Sequence, residues 1–195
     1  MTKLSPFEIS IQLPEWSAAL LRNAGSEFAT VESRMALAIS LSSMNIEHGT
    51  GGPFGAAIFN IDTHELLSIG MNLVVTSNCS MSHAEMVAIS SAQQRLGRFD
   101  LGATKDSYEL VSSCEPCAMC FGAIPWSGIR HLVCGARDED ARAIGFDEGP
   151  KMDNWQEALE KRGITVATDI CRQEAADVLQ QYANASGTIY NGRHA

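Results

Sequence analysis

Two short stretches, His83-Ala84-Glu85 and Pro116-Cys117-Ala118-Met119-Cys120, constrain what this chain can fold into more than any other feature. Two thiols three residues apart on the first turn of a helix point at one spot. An imidazole, with a carboxylate two residues on, brings the set to three soft or borderline ligands. A closed structural zinc site has four protein ligands, whereas a catalytic site keeps one position for water. A carboxylate beside that water can carry protons, because zinc lowers the water's pKa to about 7. The residues therefore point to a Zn2+ site made by His83, Cys117 and Cys120, with Glu85 as the proton carrier. The competing reading is a purely structural zinc knuckle, which needs a fourth protein ligand. Cys114 is the one close candidate, and it falls in an expected strand.

Length and composition set the outer bounds. A chain of 195 residues, 45% hydrophobic and 19% charged, has the interior for one self-sufficient globular domain. Its net charge of −9 and lack of a basic run argue against a grip on nucleic acid, which needs Lys and Arg along the phosphates. No apolar stretch is long enough to span a bilayer, so no membrane partner is expected. Met1-Thr2-Lys3-Leu4 begins no signal-peptide core, which points to the cytoplasm. The four cysteines outside the metal motif, Cys79, Cys114, Cys134 and Cys171, read as reduced thiols.

In chain order, residues 1–28 read as an N-terminal arm with loosely alternating apolar positions, packed on the body or on a partner subunit. Residues 29–195 read as the catalytic domain. Helical periodicity starts near Val31, capped by Thr30, and ends near Glu47. The glycine-rich stretch Gly49 to Gly55 lacks the marks of a phosphate loop and reads as a turn into strand 56–60. Strand 66–75 returns from a turn at Asp62-Thr63-His64. Ser82 is placed to cap a small-residue helix that closes at Gly97. Strand 108–112, helix 118–124, strand 129–135, a short helix 138–143, helix 154–162, strand 164–167 and helix 173–185 follow. The result is an α/β fold of three α/β/α layers around a mixed sheet of about five strands, with both metal pieces at helix N-termini.

His-x-Glu followed by Pro-Cys-x-x-Cys is the known signature of zinc-dependent nucleobase deaminases, and this chain resembles that cytidine and nucleobase deaminase superfamily. The stretches Cys114 to Ile124, Gly51 to Gly55 and Ala143 to Asp147 resemble its purine-deaminating branch. Trp126 through Cys134 to Pro150, and Ile189-Tyr190-Asn191, are similar to a bacterial guanine deaminase subgroup. The resemblance implies the cytidine-deaminase-like fold and hydrolysis of guanine to xanthine and ammonia. It implies that Glu85 moves a proton to the ring nitrogen and that Asn72 and the backbone of Ala84 bind the base. It further implies that Phe54 and Phe146 stack on the purine and that Trp126 shapes the pocket. A second acid follows Phe146, with Glu148 preferred to Asp147. Each residue has a plainer reading too: Asn72 as a strand end, the aromatics as core, the two acids as loop residues. Tyr190 is a candidate lid residue, and a homodimer is implied by the family.

Three rivals remain at this point. One is the same chemistry on guanosine, cytosine or an aminotriazine such as ammeline. Another is tRNA adenosine deamination, disfavoured by the acidic charge. The third is a zinc-stabilised module without turnover.

Overall fold

A computed structural model describes residues 9–23 and 28–192. The apolar positions Leu4 and Phe7 and the last three residues of the tail lie outside the described residues. Helix α1 spans Glu15–Asn23 and α2 Val31–Glu47; strands β1 (Gly55–Asn60) and β2 (Leu66–Met71) follow. After them come α3 (Val74–Ser77), α4 (Ala84–Leu96), β3 (Tyr108–Cys114), α5 (Ala118–Ser127) and β4 (His131–Ala136). The chain continues through α6 (Asp138–Ala143), α7 (Trp155–Glu160), β5 (Thr165–Ala167) and α8 (Arg172–Asn184).

The five strands form one mixed sheet in the order β2-β1-β3-β4-β5. β1 pairs antiparallel with β2 and β3, while β3–β4 and β4–β5 are parallel. Alternate residues feed opposite faces, as the pleat demands. Ala56, Ile58, Leu110 and Leu132 pack with Ala88, Ala92, Ile124 and Leu159 of α4, α5 and α7. Ala57, Phe59, Val111 and Val133 pack with Met35, Ala38 and Leu41 of α2. Both faces are covered, which is why β3 is buried at all seven positions and shows no polar alternation. The small residues of α4 let it lie close on the sheet: a Cβ at Gly70 would come within 2.1 Å of the Ala84 carbonyl oxygen.

Several expectations are corrected. The arm contains a helix, α1, started where the Ser17 hydroxyl and amide both donate to the Pro14 carbonyl. Leu13, Trp16 and Leu20 pack it onto the α2 side of the core. The second strand stops at Met71 rather than 75. Beyond it the Thr76 and Ser77 hydroxyls donate back to the Leu73 carbonyl, and Asn72 Oδ1 accepts from the Val74 amide. These local bonds offer the backbone an alternative to the ladder and turn it into α3. Ser82 does not cap α4; its hydroxyl pairs with that of Ser77 at 2.9 Å, and His83 holds the N-cap position. Helix α5 runs past Ile124 through Pro125 to Ser127.

Candidate active site

The crossover design places two helix N-termini at one end of the sheet. His83 precedes α4, and Cys117 precedes α5. Glu85 and Cys120 lie in the first turns of those helices. The His83, Cys117 and Cys120 donor atoms all lie within 4.8 Å of one another, with Nδ1 of His83 3.4 Å from Sγ of Cys117. Among the described residues no fourth His, Cys, Asp or Glu joins the group at that spacing. The Cys120 thiol donates to Glu85 Oε2 at 3.4 Å, so the carboxyl sits directly beside the donor triad.

Electrostatics divide these groups. The Cys120 hydrogen bond, with help from His83, outweighs burial and brings the Cys117 thiol down to about 4. The Cys120 thiol goes the other way, raised by its bond to Cys117 and by burial. Burial pulls the His83 imidazole down, but Cys117, Glu85 and Glu148 together raise it. Glu85 is raised by burial first and by the Cys117 charge second. The set is thus a cysteine inclined to the thiolate beside an imidazole and a carboxyl that burial raises. Two sulfurs and one imidazole nitrogen suit zinc, and a thiolate-prone cysteine at a helix N-terminus is a ready ligand. The residues present fit the ion.

A cavity of about 30 Å³ opens on this triad. Phe54, Asn72, Ala84, Phe146, Asp147 and Glu148 line it with the metal-site residues, as do Glu115 and Tyr190. Asn72 is 1% exposed, at the end of β2. Phe54 and Phe146 meet edge to face, with centroids 5.0 Å apart. The two acids separate clearly. Asp147 is exposed, and its Oδ1 accepts from the Gly149 amide to close the turn. Glu148 is 7% exposed, and its carboxyl is pushed up to about 8 by burial and then by the Cys117, Asp138 and Glu85 charges, against Lys151.

The tail closes the cavity from outside. The Asn72 amide donates to the Tyr190 hydroxyl. Asn191 accepts from the Asp147 amide at 2.8 Å and donates to the Gly145 carbonyl at 2.9 Å. The Tyr182 hydroxyl holds Thr188 O at 2.8 Å. A more open recess of about 420 Å³ shares Tyr190, Glu148 and Cys117 with the cavity.

Trp126 is a correction. It does not line the cavity but lies on α5 with 84% of its surface exposed. Glu115 and Lys151 were not singled out from the sequence. Lys151 is 6% exposed and places its ammonium 3.0 Å from Pro116 O, 3.0 Å from Asp138 Oδ1 and 3.4 Å from Glu115 Oε2. Glu115, next to the Pro-Cys-x-x-Cys motif, could have been suspected from position. Lys151 carries no sequence signal.

An imidazole and two thiols at paired helix N-termini, with a buried carboxyl alongside, define a zinc-dependent deaminase of the α/β/α type. Residues 29–136 match the cytidine and deoxycytidylate deaminase zinc-binding region, and the chain belongs to that family. It is 38% identical to the guanine deaminase of Bacillus subtilis (strain 168) over 133 residues, 68% of this chain and 81% of that protein. The tRNA-specific adenosine deaminase of Buchnera aphidicola subsp. Schizaphis graminum is 30% identical over 130 residues, 67% of this chain and 79% of that one. The solved guanine deaminase from Nitrosomonas europaea superposes with a TM-score of 0.84 at 45% identity, covering 91% of this chain and 97% of the other.

Proposed function

We propose that the protein hydrolyses guanine to xanthine and ammonia. The observation that carries the reading is the pair of buried carboxyls, Glu85 and Glu148, in one cavity with His83 and Cys117, whose donor atoms cluster with that of Cys120. The likeness to guanine deaminases at 38% and 45% identity supports the choice of base.

When bound, zinc supplies a Lewis acid that makes a water nucleophilic near neutral pH. With the ion held by His83, Cys117 and Cys120, Glu85 would take the proton of the attacking water and hand it to N3 of the base. Expulsion of ammonia then needs a proton on the amine, since amide ion is far too basic. Glu148, whose carboxyl burial pushes up, is placed to give it, while Glu85 takes the proton that the C2 hydroxyl sheds as the carbonyl forms. Two carboxyls in unlike surroundings divide the work, as paired acids do elsewhere. Asn72 presents its amide to the ring edge, with the Ala84 backbone beside it. Phe54 and Phe146 flank the ring. Asp147 is left to shape the turn.

The cavity as closed holds about two waters. A bicyclic base therefore needs Tyr190 to yield its contact with Asn72. Net charge of −9 and this closed tail oppose a tRNA substrate. A second copy of the chain would cover the outward face of α5, where Met119, Ala123 and the exposed Trp126 line up. The described cysteines are all free, which suits the reducing cytoplasm. No helix among the described residues is long and apolar enough to cross a membrane.

The deciding experiment is ammonia release from guanine, guanosine, cytosine, ammeline and tRNA, with metal content recorded. Guanine should lead the panel. Preference for any other member overturns the choice of base, and no release from any overturns the enzyme.

A further inference from the structure

The segment ahead of residue 29 lies outside the family match, yet hydrogen bonds connect it to the site. Trp16, on α1, stacks on the His48 ring, with centroids 5.4 Å apart and planes 8° from parallel. Its Nε1–H donates to Thr50 Oγ1 at 3.1 Å. Thr50 Oγ1 donates to Asn45 Oδ1 at 2.7 Å. Asn45 Nδ2 then donates twice, to Gly52 O and to Asn72 O, each at 2.8 Å.

Asn45 is fully buried in the last turn of α2. A buried amide is costly unless its polar atoms are met, and here each has a partner. Those partners fix which way the amide lies: its oxygen faces a hydroxyl and its nitrogen faces two carbonyls. Each donor points onward, from the arm toward Asn72, an order in which successive bonds strengthen one another. Asn72 is held on both sides of its Cα, since its amide also donates to Phe54 O at 3.0 Å. There is no slack at this point. A Cβ on Gly51 would fall 1.8 Å from Asn72 O, so only glycine permits the approach.

We propose that Trp16, Thr50 and Asn45 are positioning residues for Asn72, so that the N-terminal arm is part of the apparatus that reads the base. The inference rests on the reading of Asn72 as a group that binds the substrate. Asn72 contacts the base before and during reaction, so its misplacement weakens uniform binding and raises KM more than it lowers kcat.

The test is steady-state kinetics on guanine with the zinc-loaded full chain. Trp16→Phe keeps the stacked ring and removes the donor. Thr50→Val keeps the shape and removes the hydroxyl, and Thr50→Ser retains the hydroxyl. Trp16→Phe and Thr50→Val should each raise KM about 3- to 10-fold with kcat within about twofold, the span of one hydrogen bond. Thr50→Ser should stay near the parent. In an Asn72→Ala background Trp16→Phe and Thr50→Val should add nothing, because all three act through one group. The inference alone is overturned if Trp16→Phe and Thr50→Val lower the melting temperature but leave KM unmoved. It is also overturned if their effect persists in full beside an Asn72→Ala change that itself raises KM. If Asn72→Ala leaves KM unaltered, the base-binding role of Asn72 falls, and this inference falls with it.

Discussion

At the scale of single residues, the site works by giving neighbouring acids unlike environments. Glu85 is buried against a thiol, and Glu148 is buried among negative charges. Replacing Glu85 by Gln removes the proposed proton carrier and none of the three candidate metal donors. The variant should bind zinc in full and lose about 10²- to 10⁴-fold in kcat, the usual worth of general acid–base catalysis. Metal analysis beside turnover measurements checks this; retained activity would make the site structural. Glu148 makes a prediction about stability. Its folded value of about 8 lies above the ordinary 4.5, so its contribution is fully present below pH 4.5 and lost as pH rises through 8. In the metal-free protein, Glu148→Gln should therefore gain on the parent as pH goes from 5 to 8. Urea unfolding at the two pH values reads the difference, and Cys117, whose depressed value works in the opposite sense, is common to both proteins. Much of this was legible in the residues themselves. His83, Glu85, Cys117 and Cys120 announce their chemistry by type and spacing. The choice between Asp147 and Glu148 was open in sequence, because burial is not a property of either residue type. It follows from which side chain the turn at Gly149 turns inward.

At the scale of elements, the loop from Gly145 to Asn154 must stay against the metal-binding turn. Lys151 holds it there, its ammonium meeting oxygens from Glu115, Pro116 and Asp138 while lying 4.9 Å from the centre of the Trp155 ring. Lys151→Met removes the ammonium from over the Trp155 ring and leaves the largely covered Glu115 carboxylate without its cation. The expected loss is about 3 kcal/mol, the low end for breaking a buried pair, because Arg142 still neutralises Asp138. Chemical denaturation checks it, and a loss near zero would show the ammonium to be incidental. The elements also show where pattern reading fails. The helix α2 was readable from its period and its Thr30 cap. The turn into α3 was not, since Val74 and Val75 favour strands and only hydroxyl-to-backbone bonds decide otherwise. Helix α1 was obscured by the prolines and the alternating run before it.

At the scale of the whole molecule, the metal ties two helices that are distant in sequence, so its removal should be felt globally. Chelation should lower the melting temperature, and the fall should grow with the ratio of free zinc to its dissociation constant. Because the triad must shed protons to bind, apparent affinity should weaken as pH drops through the range where the imidazole protonates. Competition titration with a chelator at pH 6 and pH 8 measures this; equal affinity at both would count against the assigned ligands. The arm's hydrogen-bonded path to Asn72 also belongs to this scale, as does the proposed dimer face on α5. By itself the sequence determined the donor set, the layered α/β class and the family likeness, because each depends on residue type and on spacing along the chain. The tertiary structure alone decided which acid is buried at the cavity, that Trp126 faces away from it, that Tyr190 meets Asn72, and that Trp16 connects to the site. Those are facts of burial and of contact between distant segments, which arise only when the sheet and its helices close around one point.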